Sequence, residues 1–270
     1  MEIEMTKTVL ILGGTGRFGH NASHAFQTAG WQVRQFDRKT DTLETAAIGA
    51  DVIVAGWNPP YQQWAAQVPA LHAQIRVAAL VNNATVIIPG NVYVFGENTP
   101  SPWGAKTPHL AQNPLGKIRV EMEAAYRREG VRTIILRSGD YLDTSASGNW
   151  FDMIMLKSLA RGQFTYPGDP TIEHAWGYLP DVARAAVQLA EMRGDLDRFE
   201  DIPFAGYTLT GQELADLISS ALNNPVRLNQ MQWWPLRLAQ PVMPMIKHLF
   251  EMRYLWNTPH KLDNTRLAAL

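Results

Sequence analysis

Cysteine is absent from the 270 residues. Disulfides, thiolate metal sites and thiol nucleophiles are thereby excluded. Charge is scarce and balanced: 24 Lys and Arg face 25 Asp and Glu, for a formal net charge of −1. A near-neutral chain makes no electrostatic case for nucleic acid or a membrane surface, so neither is expected as a partner. No apolar run approaches the roughly 18 to 20 residues that span a bilayer. The opening Met1-Glu2-Ile3-Glu4-Met5 lacks the basic region and long apolar core of a secretory leader. A cytoplasmic location is the resulting expectation. Repeats, heptads and low-complexity segments are also missing. What remains is an ordinary globular composition, 46% hydrophobic, with room for one large domain or a domain with a smaller lobe.

The organising stretch is Val9 to Gly19. An apolar run, Val9-Leu10-Ile11-Leu12, reads as a buried parallel strand. Gly13, Gly16 and Gly19 follow at spacing three. A helical pattern then opens, with Phe18, Ala22, Ala25, Phe26 and Ala29 on one face. In such a turn glycine supplies unusual backbone angles and lets a pyrophosphate approach the main chain, while the helix N-terminus offers free N–H groups. The strand before and the helix after are the context the motif requires. The pattern predicts a bound dinucleotide held by Gly13, Gly16, Arg17, Phe18 and Gly19.

The second strand, Trp31 to Phe36, ends at Asp37. An acid there can bind the adenosine ribose hydroxyls, which favours NAD. Arg38 and Lys39 follow at once and can hold the 2′-phosphate of NADP instead. The preference is slightly for NAD, with NADP open. Asp51 to Gly56 is the next strand. The short gap before it holds one helix, around Leu43 to Ile48, and no further edge strand. Trp57-Asn58-Pro59-Pro60 lies at that strand's carboxyl end, where open α/β sheets bind ligands, so Asn58 joins the expected cofactor contacts. A helix from about Tyr61 to Asn82 follows. Thr85 to Pro89 is the fourth strand, and Asn91 to Phe95 is read as its continuation. Asn98 to Pro114 is a long Pro-rich loop of the kind that tends to carry function. Pro114 opens a helix to about Arg128, Thr133 to Arg137 is the fifth strand, Trp150 to Arg161 is helical, and Pro180 opens a helix to Met192. Asp201 to Ala205 is a short strand. Thr210 and Glu213 form a capping-box pattern before a helix to Leu222, and Val226 to Met231 is a strand of a small lobe.

Strands alternating with helices predict an α/β fold with a doubly wound parallel sheet. The expected division is a dinucleotide-binding core over 1–141 and 174–206, and a substrate lobe over 142–173 and 207–270, in one compact unit. The Trp- and Met-rich end (Trp233, Trp234, Met243, Met245, Met252, Trp256) has two readings, an apolar lid over substrate or ordinary core. The chain closes on Leu262 to Leu267 without an obvious final element, as a clipped chain would. His20 and His24 stand at metal-compatible helical spacing, but no third ligand accompanies them and no metal is expected.

Together Gly13-Gly14-Thr15-Gly16-Arg17-Phe18-Gly19, Phe36-Asp37-Arg38, Asn91-Val92-Tyr93-Val94-Phe95-Gly96, Leu136 to Tyr141 and Tyr178 to Ala185 resemble, in order, landmarks of the extended and atypical short-chain dehydrogenase/reductases, the NAD-dependent epimerase/dehydratase family. The resemblance covers nearly the whole chain. It implies a Rossmann-type sheet with a small C-terminal substrate lobe, an NAD(P) cofactor and an oxidoreductase or epimerase acting on a small organic substrate, with a homodimer left open. It also implies a Ser or Thr and a Tyr with a Lys four residues on. Here Leu115 replaces the tyrosine, Arg119 replaces the lysine, and Asn91 stands at or beside the serine position. Leucine transfers no proton, and arginine does not give one up near neutral pH.

Residues two apart in a strand share a face, so Tyr93 is expected beside Asn91. Tyr93, Asn91 and Arg119 then form the candidate catalytic set, with Arg119 stabilising a tyrosinate. Two plainer readings stand beside it: Arg119 snorkels to solvent, and Tyr93 is pocket wall. Lys117 is the other nearby base, on a different helix face. Asp140 and Tyr141, at a strand's carboxyl end, are candidate substrate contacts. Trp176, with His174 near it, either lines the pocket or is structural. The lost Tyr and Lys also support an alternative function, a non-catalytic NAD(P) sensor that binds a protein partner.

Overall fold

The computed structural model describes residues 6–270; Met1 to Met5, on which the leader reading rests, lie outside them. In chain order the elements are β1 (Thr8–Leu12), α1 (Arg17–Thr28), β2 (Gln32–Phe36), α2 (Leu43–Ala46), β3 (Val52–Ala55), α3 (Trp64–Asn82), β4 (Thr85–Gly90), α4 (Pro114–Arg128), β5 (Thr133–Arg137), β6 (Asp140–Leu142), β7 (Gln163–Tyr166), β8 (His174–Tyr178), α5 (Leu179–Glu191) and β9 (Phe199–Pro203). Then come β10 (Tyr207–Leu209), α6 (Gly211–Leu222), β11 (Arg227–Gln230), α7 (Trp234–Ala239), α8 (Met245–Met252) and α9 (Thr265–Ala268).

Six strands form one parallel sheet in the order β2-β1-β3-β4-β5-β9. The chain leaves β1 for β2 on one side and returns to β3 on the other. The carboxyl ends of β1 and β3 are therefore the topological switch point, where open α/β sheets bind ligands. Every residue of β1 and β3 is buried, because helices cover both faces. One face packs against α2, α3 and α4, the other against α1 and α5. One edge is β9 and the other is β2, as the short gap after it predicts. Only the one-turn α2 fits there, its N-terminus capped by Thr42.

Three segments differ from expectation, and the expected long loop is held in place. Asn91 to Phe95 does not extend β4. Val92–Val94 forms a 3₁₀ turn, and the Asn91 side chain accepts from the Tyr93 N–H at 3.1 Å. That local bond offers the backbone an alternative to the strand ladder. Trp150 to Arg161 is not one helix: a π-type turn at Phe151–Met155 and a 3₁₀ turn at Leu159–Arg161 replace it. The Asp152 carboxylate accepts from the N–H groups of Ser147 and Gly148 there, while Trp150, Phe151, Met155 and Leu156 pack into the small-lobe core. His174–Tyr178 is a strand outside the large sheet, pairing with β6 and β10. Finally, the Pro-rich loop is pinned. Trp103 is fully buried, stacks on Phe95 and His260, and bonds through its main chain to Lys261 and Asp263.

The Val226 to Met231 expectation is realised as β11, paired with β7. The Trp- and Met-rich end divides: Trp233, Met252 and Trp256 are core, whereas Trp234, Met243 and Met245 are exposed. The final α9 packs on β9.

Candidate functional site

The glycine turn sits at the switch point. Gly13 has φ +78°, and its O accepts from the Gly16 N–H at 2.9 Å. A Cβ on Gly19 would overlap the Gly13 carbonyl, and one on Gly13 would lie 2.7 Å from the Trp57 Cα. The fold itself thus demands glycine at 13 and 19. Gly16 differs. It is exposed, has ordinary extended angles, and a Cβ there would meet only the Gly13 O at 3.1 Å. Gly16 starts α1 with no side-chain cap, which leaves the first N–H groups of the helix for an outside acceptor. An anionic phosphate group fits that chemistry.

The neighbouring predicted contacts take different roles. Phe18's side chain is buried in the core with α5, so only its main chain faces the turn. Arg17 donates to the carbonyls of Ser147 and Gly148 and ties the turn to the loop after β6. Asp37 is exposed at the end of β2 and accepts from the Lys39 N–H at 2.9 Å. The Arg38 guanidinium lies 5.2 Å from the Trp57 ring centroid, a cation–π contact across the ends of β2 and β3. Asn58 is exposed beside it.

Leu115 and Arg119 both lie inside the fold. The snorkelling reading of Arg119 therefore fails. Arg119 donates to the Pro89 carbonyl at 3.0 Å and lies 5.9 Å from the Trp64 ring centroid. Its Nε has no partner among the described residues. Burial lowers its pKa, yet an arginine starts far above neutrality and keeps its charge.

Tyr93 does not share a strand face with Asn91, because the backbone turns between them. Its hydroxyl instead meets the Tyr61 hydroxyl at 2.6 Å. Burial raises the pKa of both, and for Tyr93 the neighbouring Tyr61 and the Asp140 charge raise it further. The expectation that Arg119 favours a tyrosinate is corrected: Tyr93 is held firmly neutral.

Asp140 pairs with His174 at 2.8 Å, and the His174 ring stacks on Trp256 at 4.5 Å. Asp140 remains partly exposed, and its charge contributes to raising the pKa of Tyr61, Tyr93 and Tyr141. For Tyr141 burial is the larger cause. Trp176 is not a pocket residue. It is fully buried in the small-lobe core, and its indole N–H donates to the Leu209 carbonyl. The reason is its place mid-strand in β8, facing the lobe's aromatic core.

Two features escaped the sequence reading. Tyr61 follows directly on the Pro59-Pro60 breaker at a strand's carboxyl end, and that position was its one available signal. The second is a buried charge network. Arg137 binds Asp201 at 2.6 Å and Glu123 at 2.8 Å, and His109 reaches both acids. His109, Glu123 and Asp201 have metal-ligand character. However, one Arg137 nitrogen already bridges the two carboxylates, and different His109 nitrogens face each acid. The Arg137 guanidinium therefore already supplies the positive charge between the two acids. Elsewhere a concavity of about 530 Å³ lies at the amino ends of the strands, beside Asp51, Asn83, Arg132 and Arg193. Arg193 is paired there with Asp51 and Glu191 with Lys7, while Arg132 donates to the main-chain carbonyls of Arg193 and Leu196.

No protein-family model and no curated protein matches the sequence. Solved structures do. MoeE5 in complex with UDP-glucose and NAD is 15% identical with a TM-score of 0.67, over 83% of this chain and 85% of that one. UDP-N-acetylglucosamine 4-epimerase from Bacillus cereus is 17% identical at 0.67, over 84% and 86%. dTDP-4-dehydrorhamnose reductase from Bacillus anthracis, in complex with NADP, is 16% identical at 0.69, over 84% and 85%. The chain shares the Rossmann-like α/β fold of these structures. Within that fold the glycine turn, the Asp37–Arg38 strand end and the Tyr61–Tyr93 pair all lie at carboxyl ends of the central sheet.

Proposed function

We propose that the chain is a member of the extended short-chain dehydrogenase/reductases that binds a nicotinamide dinucleotide and acts as a reductase or epimerase-like enzyme on a small organic substrate. The observation that carries this is Gly16: exposed and in ordinary extended angles, it leaves the main chain bare before an uncapped helix at the switch point. The N–H groups at the start of α1 would hold the pyrophosphate. Asp37 would take the adenosine ribose, which slightly favours NAD, while Arg38 and Lys39 are the residues that would favour NADP. Once bound, the nicotinamide supplies or accepts a hydride.

The substrate would lie between the core and the lobe of residues 142–173 and 207–270, beside Tyr61, Tyr93, Asp140 and Tyr141. Nucleotide sugars are the first class to test, because the neighbouring structures are named for them. A neutral Tyr93 suits the reducing direction. It donates its proton to an alkoxide as that forms, Tyr61 passes its own proton to Tyr93 through the hydroxyl pair, and solvent returns one to Tyr61. Arg119 stays cationic nearby, and Asn91 orders the turn that aims Tyr93.

Calorimetry with NAD and NADP on wild type and Gly16→Val tests the reading. Loss of binding with an unchanged circular dichroism spectrum is expected; unchanged affinity would overturn it. A second reading, a non-catalytic NAD(P) sensor, draws on the buried Leu115 in place of a proton donor. Tight cofactor binding with no turnover across alcohol, ketone and nucleotide-sugar panels would favour the sensor.

A further inference from the structure

The end of the chain carries an apolar surface that the candidate site does not use. On α7, Trp234 and Leu238 lie one helical turn apart and are 65% and 74% exposed. Pro241-Val242-Met243-Pro244-Met245 follows, every residue exposed and Val242 at 80%. From Leu238 to Ile246 the only polar side chain is Gln240. Arg237 and Lys247 bracket this run, both exposed and without an ion-pair partner among the described residues.

Several main-chain donors of the loop need no water. Pro241 and Pro244 have no N–H to satisfy. The N–H groups of Val242 and Met243 both donate to the Ala239 carbonyl, at 3.1 and 3.0 Å. Local charge points the same way. Residues 227–270 hold Arg227, Arg237, Lys247, Arg253, Lys261 and Arg266 against Glu251 and Asp263, with Lys261 paired to Glu173 and Arg266 to Glu200. Glu251 is spent inside the fold, accepting from Asn113 and from the Leu115 N–H at the start of α4. The near-neutral total thus conceals a basic end and an acidic remainder.

We propose that Trp234, Leu238 and the 241–245 loop insert into the interface of an anionic lipid bilayer, with the flanking basic residues meeting the headgroups. Apolar and tryptophan side chains beside Lys and Arg are the composition of interfacial anchors. A second copy of the chain fits less well, because a twofold contact through this patch would set Arg237 and Lys247 against their own counterparts. Among the described residues no helix is long and apolar enough to cross a membrane, so the attachment is peripheral.

Sedimentation with vesicles of phosphatidylcholine alone, and of phosphatidylcholine mixed with phosphatidylglycerol, tests the proposal. Binding to the mixed vesicles, weakened by salt, is expected. The triple variant Trp234→Ser/Leu238→Ser/Val242→Ser should lose it while keeping the wild-type circular dichroism spectrum. Arg237→Glu/Lys247→Glu should lose more than about tenfold, since each basic residue near an anionic surface is worth about fivefold. Three results would each overturn the idea: no binding to either vesicle, wild-type binding by the triple variant, or light scattering that shows a dimer dissolved by the triple variant.

Discussion

At the scale of single residues, the proposed chemistry turns on a tyrosine whose partner lies far off in sequence. Tyr93 meets Tyr61 across 32 positions, and burial keeps both phenols protonated. A positioned acid is worth roughly 100- to 10,000-fold in rate. Tyr93→Phe should therefore slow turnover by that order and leave cofactor affinity unchanged in calorimetry. Turnover equal to wild type would make Tyr93 pocket wall. Its partnership was illegible in the sequence, because the expected strand geometry put Tyr93 beside Asn91. One side-chain bond from Asn91 to the Tyr93 N–H makes the turn that moves it. The glycines were legible, since close main-chain approach leaves no room for a side chain at 13 and 19.

At the scale of elements, local chemistry set many boundaries. β5 falls on Thr133–Arg137 as read from its apolar run, and α4 opens at Pro114. The capping box at α6 is present in full, with Thr210 accepting from the Glu213 N–H and Glu213 accepting from the Thr210 N–H. Thr210→Ala should cost about 1 kcal/mol in urea unfolding; no change would show the cap to be idle. Three short strands, β6, β7 and β8, gave no such signal. Each is three to five residues long and takes its shape from partners distant in sequence.

At the scale of the whole molecule, buried charge joins the elements. Arg137 sits fully buried between Asp201 and Glu123, and although burial opposes its charge, the two carboxylates raise its pKa. Arg137→Met leaves two acids without their cation and should cost about 3 to 5 kcal/mol in urea unfolding. A loss below 1 kcal/mol, about the worth of an exposed pair, would show the network to be relaxed by water.

Acid should weaken the fold as well. Burial holds His72 and His260 at about 3, so both stay neutral when folded and protonate at the ordinary histidine pKa when unfolded. The unfolded state then binds more protons between about pH 6.5 and 3, and stability falls by about 1.4 kcal/mol per pH unit for each. Asp201 adds to the loss at the acid end. Its lowered pKa gives stability that is present above the ordinary aspartate range and lost as pH falls through the folded value. Urea midpoints that stay level between about pH 7 and about pH 5 would rule this out.

Composition and local pattern alone determined the parallel sheet, the glycine turn at its switch point and the missing edge strand after β2. These follow from periodicity, spacing and residue chemistry, which act over a few neighbours. The tertiary structure decided the rest: the Tyr61–Tyr93 pair, the Asp140–His174 pair, the burial of Trp176 and the exposure of Trp234 beside it in type. Those depend on which surfaces meet after the chain has crossed itself, and no short stretch of sequence contains that.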